Sequence, residues 1–357
     1  MNQTVLAQVI QLRQALHRCP EPSGREKLTR EKLINFLERH TSMEIMPCGD
    51  GFYAAHREEA AAKPGIALRA DYDALALPGG GAAHLCGHDG HSAALCGVAL
   101  LLEGARLGRE VFLLFQPAEE TGEGAKKCLS LWESESIGEV YGMHNLPGFP
   151  LGRVTTRPGT FACASEGITL RFVGKATHAA YPEYGRSPAD TVGNLLCELP
   201  LLSAQDRYTG MTLCTVIGIQ MGQKAFGEAA SEAEIWLTLR AEYGRELVTL
   251  KQNLLDFARV LAPKNGLEFS WEEQDVFPST ENDPRCVEKI MRLCQADRLP
   301  IPMRWSEDFG HYLSRCPGAF MGIGAGENHA ALHTEDYEYP DALLAPSMEA
   351  FWKLIAN

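Results

Sequence analysis

A cluster of residues that can bind metal lies in the segment HLCGHDGHSAAL, residues 84–95. Three histidines, one cysteine and one aspartate fall within eight positions, directly before an apolar stretch with helical spacing. Cys86 and His88 are separated by one residue in a glycine-containing loop, so both side chains can turn toward one point. Thiolate, imidazole and carboxylate are the ligands that zinc and related divalent ions bind. The segment therefore predicts a metal site, although a single histidine is more often a structural residue.

Three further residues of the same chemical types follow at larger spacing. Glu120 comes after VFLLFQP, His144 after EVYGM, and His333 lies in ALHTED. Five candidate ligands are too many for one catalytic tetrahedral ion that keeps an open position. The set fits two divalent ions that share a bridging ligand and hold a water molecule between them. The alternative, Cys86 as a nucleophile with His88 or His91, is disfavoured because such close sequence neighbours rarely form a catalytic triad.

The adjacent residues Glu119 and Glu120 can have two different roles, metal binding and activation of a water molecule. On an extended segment, neighbouring side chains point to opposite sides, so one carboxylate can bind metal while the other faces the water. We assign Glu120 to the metal and Glu119 to the general base of a hydrolysis reaction. Asp71 or Asp73, which follow the strand IALRA, is expected to orient a ligand histidine. Taken alone, the glutamate pair would be a solvated start of a loop.

Strands and helices alternate around these residues, which predicts an α/β fold with a mainly parallel sheet covered by helices on both faces. Two helices open the chain, at roughly 3–17 and 24–40, with Ser23 as the expected N-cap of the second. The acids and His144 follow three separate strands, where open α/β sheets place their ligand sites. We assign residues 1–164 and 278–357 to this catalytic, metal-binding domain.

The pattern changes between residues 165 and 277. Four strand-like segments and two helices predict a smaller α+β domain inserted into the first. The second of these helices, within ELVTLKQNLLDFARVLAPKNG, ends at an Asn–Gly pair. Farther along, the glycine-rich segment GIGAGE (322–327) is interpreted as a turn, with binding of a substrate carboxylate by its amides as the alternative.

Composition limits the possible partners and the cellular compartment. The chain has 357 residues and a formal net charge of −13, which argues against nucleic-acid and bilayer partners. No signal peptide or membrane-spanning stretch is visible. Eleven cysteines occur without a CxxC pair, which indicates a reducing compartment and free thiols. We therefore expect a cytoplasmic protein.

Six segments together resemble the metallo-amidohydrolase family of hippurate hydrolases, N-acyl-amino-acid amidohydrolases and auxin-conjugate hydrolases, which are related to aminoacylase and carboxypeptidase G. They follow the family order along nearly the whole chain. The matching segments are LRADYDAL (68–75), HLCGHDGHSAAL (84–95), VFLLFQPAEETGEGAKK (111–127), GMHNLPGFPLG (142–152), FVGKATHAAYPEYG (172–185) and SEDFG (306–310).

The resemblance implies two divalent ions in the larger domain and the same ligands and base as assigned above. It also implies that the inserted domain acts as a lid and dimer surface, and that His178 reaches the substrate carbonyl, where a donor would stabilise an oxyanion. Glu307 matches a motif near the site, which implies a supporting or substrate-contacting role. A thiolate ligand favours zinc, while manganese, cobalt and nickel remain compatible.

The lid departs from the family pattern. Glu183 stands where relatives tend to have histidine, Ser187 stands where they tend to have aspartate, and QKAFGEAASEAEIW lacks a common Asn-Val-Ile-Pro segment. These changes affect the substrate class and dimer contacts rather than the metal ligands. We expect an amidohydrolase of small N-acyl amino acids. The alternatives are a dipeptidase or carboxypeptidase of the same family, and a non-catalytic binding protein with the same fold.

Overall fold

The structure, a computed structural model, describes residues 3–59 and 61–357, which divide into two units. The first unit contains the described residues up to Phe161, together with Thr280–Met303 and Glu307–Asn357. The second unit contains Ala162–Ser279 and Arg304–Ser306. Each unit has its own hydrophobic core.

The helices and strands are numbered in chain order. The chain begins with α1 (Gln3–His17), α2 (Lys27–His40), β1 (Glu44–Cys48), β2 (Gly51–His56), β3 (Gly65–Asp71), β4 (Leu75–Ala76), β5 (Ala82–Ala83), α3 (His88–Leu102), β6 (Val111–Gln116), α4 (Gly124–Lys127), α5 (Leu131–Ser134), β7 (Ile137–Pro147), β8 (Val154–Thr156) and β9 (Gly159–Ala162). It continues with β10 (Ala164–Val173), β11 (Thr177–His178), α6 (Ala189–Leu202), β12 (Thr212–Met221), β13 (Glu228–Ala229), β14 (Glu232–Ala241), α7 (Gly244–Lys264) and β15 (Glu268–Phe277). It ends with β16 (Thr280–Asn282), α8 (Pro284–Cys294), β17 (Asp297–Arg298), α9 (Gly310–Leu313), β18 (Gly318–Gly326) and α10 (Leu344–Ile355).

The first unit is built on an eight-stranded sheet with the order β1-β2-β6-β3-β7-β18-β8-β17. Its centre is parallel, because β3 pairs in parallel with β6 and β7, and β7 pairs in parallel with β18. β3 and β6 are buried along their whole length, as their continuous apolar sequences predict for strands covered on both faces. The predicted α/β class with a mainly parallel sheet is confirmed.

The second unit contains a four-stranded sheet with the order β12-β14-β10-β15. All three pairings in this sheet are antiparallel. Alternate residues of β14 are buried, and α6 and α7 supply the other apolar side chains of this core. The predicted α+β architecture of four strands and two helices is also confirmed.

Two local predictions were wrong. α2 begins at Lys27, and the Ser23 hydroxyl does not cap it but donates to Asp73 Oδ2 at 2.7 Å. The segment GIGAGE is not a turn, because most of it lies within the buried strand β18. Glycine is required there by close packing, since a Cβ on Gly322 would overlap the side chain of Leu146. Among the described residues, no helix combines the length and apolar character that crossing a membrane requires.

Candidate metal centre

Three neighbouring strands bring polar residues to one edge of the large sheet. β3 runs parallel to β6 on one side and to β7 on the other, so the carboxyl ends of the three strands lie together. Asp73 follows β3, Glu119 and Glu120 follow β6, and His144 lies in the C-terminal half of β7. The sheet topology thus explains how residues far apart in sequence reach one place.

Cys86, His88 and His144 form a first candidate ligand group. Their donor atoms all lie within 4.8 Å of one another, and the three side chains are buried. The Cys86 Sγ atom is 3.3 Å from Nε2 of His144. Nδ1 of His88 is 3.0 Å from Asp73 Oδ1, and Nδ1 of His144 is 2.8 Å from the carbonyl oxygen of Asn145. Because each Nδ1 faces an acceptor, each ring in its neutral form carries its proton on Nδ1. Its Nε2 then keeps the lone pair that metal ligation requires.

Cys86, Glu120 and His333 form a second group whose donor atoms also lie within 4.8 Å of one another. The distance from His333 Nε2 to Glu120 Oε1 is 3.6 Å. His333 has a φ of +63°, a left-handed conformation that is uncommon outside glycine, and its N–H donates to the carbonyl of Leu85 at 2.8 Å. The two groups share one atom, the Cys86 sulfur.

Glu119 and Glu120 do not lie on an extended segment, which corrects the geometry expected from the sequence. β6 ends at Gln116, and both glutamates lie in the turn that follows it. Their carboxylates are on the same side, since Nε2 of His88 is 3.9 Å from Glu119 Oε2 and 4.0 Å from Glu120 Oε1. The turn therefore directs both acids toward the same histidine.

The donor set fits divalent metal ions. Among the described residues, Nε2 of His88 and Oε1 of Glu120 are buried and have no hydrogen-bond partner. Buried polar atoms without a partner are rare and require an explanation such as a bound ion. Burial raises the pKa of the Cys86 thiol well above its usual range, and the negative charge of Glu120 adds to that effect. One sulfur, three imidazoles and one carboxylate match the ligand preferences of zinc-like ions.

Arg69, in the middle of β3, pairs with three buried acids and was missed by the sequence reasoning. Its guanidinium lies 2.7 Å from Asp71, 3.0 Å from Glu307 and 2.8 Å from Asp308. Burial raises the pKa of Glu307 to about 8, although the charge of Arg69 opposes this shift. The one available signal was a basic residue among the apolar residues of the segment GIALRAD. Glu307 thus belongs to a charged cluster beside the candidate ligands.

The carboxylate of Glu119 adjoins this cluster, because its oxygen lies within 4.8 Å of carboxylate oxygens of Glu307 and Asp308. Burial raises the pKa of Glu119 well above its usual range, and the charges of Glu307, Asp308 and Glu120 raise it further. The raised pKa means that Glu119 holds a proton more strongly than an exposed glutamate does.

Asp71 and Asp73 have different partners. Asp73 hydrogen-bonds to His88, whereas Asp71 Oδ1 lies 2.6 Å from Nδ1 of His91. Nε2 of His91 is 2.5 Å from Asn145 Oδ1, and Asn145 donates through Nδ2 to the hydroxyl of Tyr337 at 2.6 Å. From the sequence, His91 was considered only as a partner for a nucleophilic Cys86. Asn145 and Tyr337 were given no role, since nothing in their spacing indicates that they interact with His91.

His178 lies in the second unit, where β11 pairs with β13. Its side chain is exposed, and its Nδ1 accepts a hydrogen bond from the N–H of Ala180 at 3.0 Å. Because Nδ1 is used as an acceptor, the neutral ring carries its proton on Nε2. Nε2 of His178 is thus a hydrogen-bond donor.

Most of the chain is similar to known amide hydrolases. Residues 67–357 match the family described as Peptidase family M20/M25/M40. IAA-amino acid hydrolase ILR1-like 4 of Arabidopsis thaliana is 30% identical over 308 residues, which cover 79% of this chain and 70% of that protein. N-acetyl-L-cysteine deacetylase of Bacillus subtilis (strain 168) is 29% identical over 344 residues, 91% of this chain and 82% of that protein.

A solved structure shows the same fold. A Bacillus subtilis protein described as a dinuclear metal-binding peptidase from the M20 family superposes with a TM-score of 0.82. The comparison covers 99% of this chain and 98% of that one, at 24% sequence identity. The family match spans most of the chain and agrees with the resemblance of the sequence segments. The chain therefore belongs to peptidase family M20/M25/M40 and is a hydrolase of amide bonds.

Proposed function

We propose that this protein hydrolyses the amide bond of small N-acyl amino acids at a centre for two divalent metal ions. The proposed ligands are Cys86, His88, Glu120, His144 and His333. The observation that carries the proposal is the pair of ligand groups that share the Cys86 sulfur. Two groups of donors around one thiolate are the arrangement that two ions with a common ligand require.

Bound divalent ions would supply Lewis-acid chemistry, which polarises the amide carbonyl and makes a water molecule more acidic. In our proposal, the carboxylate of Glu119 accepts a proton from the attacking water. The protonated carboxyl then gives that proton to the amide nitrogen as the carbon–nitrogen bond breaks. The position of Glu119 supports this role, since its Oε2 lies 3.9 Å from Nε2 of the proposed ligand His88.

The remaining residues position these groups. Asp73 fixes the ring of His88 through its hydrogen bond to Nδ1. The Arg69 guanidinium pairs with the buried carboxylate of Asp71 and also holds the side chains of Glu307 and Asp308 in place.

We assign the first unit to catalysis and the second to a lid. In the lid, His178 would donate from Nε2 to the oxyanion that forms on the substrate carbonyl. The exposed position of His178 and its tautomer support this role.

The substrate class follows from the relatives, which act on acyl groups joined to amino acids according to their names. A panel of N-acetyl, N-benzoyl and indole-3-acetyl amino acids and of dipeptides should therefore be offered to the protein loaded with zinc, manganese, cobalt or nickel. We expect about two ions per chain and hydrolysis of at least one N-acyl amino acid. A preference for dipeptides would reject N-acyl amino acids as the substrate class and assign dipeptides instead.

Glu119→Gln tests the catalytic assignment. We expect the variant to bind the same amount of metal as the wild type and to lose hydrolysis, because its amide cannot accept the proton of water. Glu123→Gln is the matched control, because Glu123 lies in the same loop with an exposed side chain paired to Lys126. Unchanged activity in Glu119→Gln, or failure of the wild type to bind stoichiometric metal, would reject the proposed mechanism.

A further inference from the structure

Two buried carboxylates from other parts of the chain hold the turn that carries Glu119. Glu26 Oε1 accepts a hydrogen bond from the N–H of Ala118 at 2.8 Å. Asp73 Oδ2 accepts one from the N–H of Glu120 at 3.0 Å. These two amides lie on either side of Glu119, so the backbone is fixed immediately before and after that residue.

Ala118 has a left-handed backbone with a φ of +52°, and it is buried. Residues with a Cβ rarely adopt this conformation because Cβ crowds the backbone. A change to the right-handed region at Ala118 would rotate the following peptide and redirect the side chain of Glu119. Contacts must therefore hold Ala118 in place. The N–H of Ala118 donates to Glu26, and the carbonyl oxygen of Ala118 accepts from the N–H of Gly124 at 3.0 Å.

The carboxylate of Glu26 is directed to this turn rather than to its own helix. Glu26 is the N-cap residue of α2, yet its side chain makes no capping hydrogen bond. Its Oε1 accepts instead from the N–H groups of Gly24 and Ala118. The first turn of α2 is held by a different acid, because Glu21 Oε2 accepts from the N–H and hydroxyl of Thr29 at 2.7 and 2.9 Å.

We propose that Glu26 is a positioning residue for the general base. It holds Ala118 in the left-handed conformation and thereby directs the Glu119 carboxylate toward His88. The catalytic part of this inference, an effect on kcat, rests on the proposed function of Glu119. The conformational part is independent of that function and can be measured in the protein without metal.

Hydrogen–deuterium exchange of the metal-free protein tests the conformational part. Glu26→Met removes the acceptor and keeps a long apolar stem, whereas Glu26→Gln keeps an oxygen acceptor. We expect faster amide exchange in the peptide spanning residues 116–124 for Glu26→Met, and wild-type exchange for Glu26→Gln. Glu21→Ala, which loosens α2 without touching the turn, is expected to leave this peptide unchanged. Wild-type exchange in Glu26→Met would overturn the inference.

Steady-state kinetics of the metal-loaded enzyme test the catalytic part. Glu26→Met is expected to lower kcat by roughly 10- to 100-fold with little change in KM, because a small displacement of a catalytic group has a large effect on rate. Adding Ala118→Gly to Glu26→Met should restore part of kcat, since glycine adopts positive φ without a Cβ penalty. A purely structural defect in α2 would show no such recovery. An equal loss of kcat in Glu21→Ala, or no recovery with Ala118→Gly, would overturn the inference.

The two proposals can fail separately. Full activity in Glu119→Gln would reject the proposed base whatever the exchange data show. An inactive Glu119→Gln together with wild-type kcat in Glu26→Met would reject only the positioning role.

If Glu26→Met does not fold, Ala118→Val tests the same backbone conformation from within the turn, because β-branched residues disfavour positive φ. Wild-type kcat in Ala118→Val would then overturn the inference.

Discussion

Oδ1 of Asp73 lies 3.0 Å from Nδ1 of His88, and both side chains are buried. The second oxygen of Asp73 accepts from the Ser23 hydroxyl at 2.7 Å and from the N–H of Glu120 at 3.0 Å. One carboxylate thus orients a proposed metal ligand and also joins the N-terminal segment to the turn after β6. Its two oxygens have separate tasks, which can be tested by substitution.

Asp73→Asn is expected to weaken metal binding by roughly 10- to 100-fold, as is typical for loss of a group that supports a ligand histidine. The asparagine side chain has one oxygen acceptor and one NH2 donor. If the oxygen keeps the bond to His88, the NH2 group faces the Ser23 hydroxyl and the Glu120 N–H, which now donate to Asp73 Oδ2, and those two hydrogen bonds are lost. Competition with a chelator would measure the affinity. Ser23→Ala serves as the control and should have a much smaller effect. Equal affinities for Asp73→Asn and the wild type would contradict this role.

Cys86 and His333 should differ in how many ions their loss removes. Cys86 belongs to both ligand groups and His333 to one, so Cys86→Ala should bind close to no metal, whereas His333→Ala should keep about one ion per chain. Elemental analysis after dialysis against a metal-free buffer would give both numbers. A Cys86→Ala protein that keeps one tightly bound ion would show that the thiolate is not shared.

His178→Ala is expected to reduce kcat by roughly 10²- to 10³-fold, the usual effect of losing one oxyanion donor. Its metal content should stay at the wild-type level, because His178 lies outside both ligand groups. His40→Ala removes another exposed histidine, at the end of α2, and should leave kcat unchanged. A normal kcat with a raised KM would instead indicate that His178 contributes to substrate binding alone.

Arg69→Met should strongly destabilise the first unit. The substitution leaves Asp71, Glu307 and Asp308 buried without their cation, and breaking a buried charge pair typically costs about 3–5 kcal/mol of unfolding free energy. Urea unfolding followed by circular dichroism would measure the change. Arg171→Met removes an exposed arginine paired with Glu234 and should have little effect. Equal stability of the two variants would show that the buried cluster does not depend on Arg69.

The edge strand β12 of the second unit is a candidate dimer surface. Four apolar side chains along it are 41–61% exposed: Val216, Ile217, Ile219 and Met221. An exposed apolar edge favours pairing with the same strand of a second copy. We predict a homodimer that the double substitution Ile217→Lys and Ile219→Lys converts to a monomer, as measured by light scattering. Leu201→Lys, on the exposed face of α6, should leave the dimer intact.

The sequence predicted the two architectures because hydrophobic periodicity depends on local residue order. The buried strands GIALRAD and VFLLFQ are continuous apolar segments except for Arg69 and their C-terminal residues, and α7 has a clear helical period. Strand ends also indicated where the acids and His144 would meet. These signals depend on a short stretch of chain and a general rule of sheet topology.

Long-range polar contacts could not be predicted in the same way. Ser23 has the residue type of an N-cap, but its hydroxyl bonds to Asp73, 50 positions away. The expected separation of Glu119 and Glu120 was wrong because Ala118 adopts a left-handed conformation and turns the chain directly after β6. The pairing of Arg69 with Asp308 spans 239 positions, and no local pattern encodes it.

The contacts of Glu26 and Ser23 have a consequence for how this protein can diverge. Every proposed ligand follows β3 in the chain, yet the acceptor for Ala118 and the hydroxyl that binds Asp73 precede β1. A chimera could take the ligand motifs from one relative and the N-terminal helices from another. It would keep all metal donors, yet the N–H of Ala118 would lose the acceptor that Glu26 provides. We therefore expect the N-terminal segment and the turn after β6 to be inherited together.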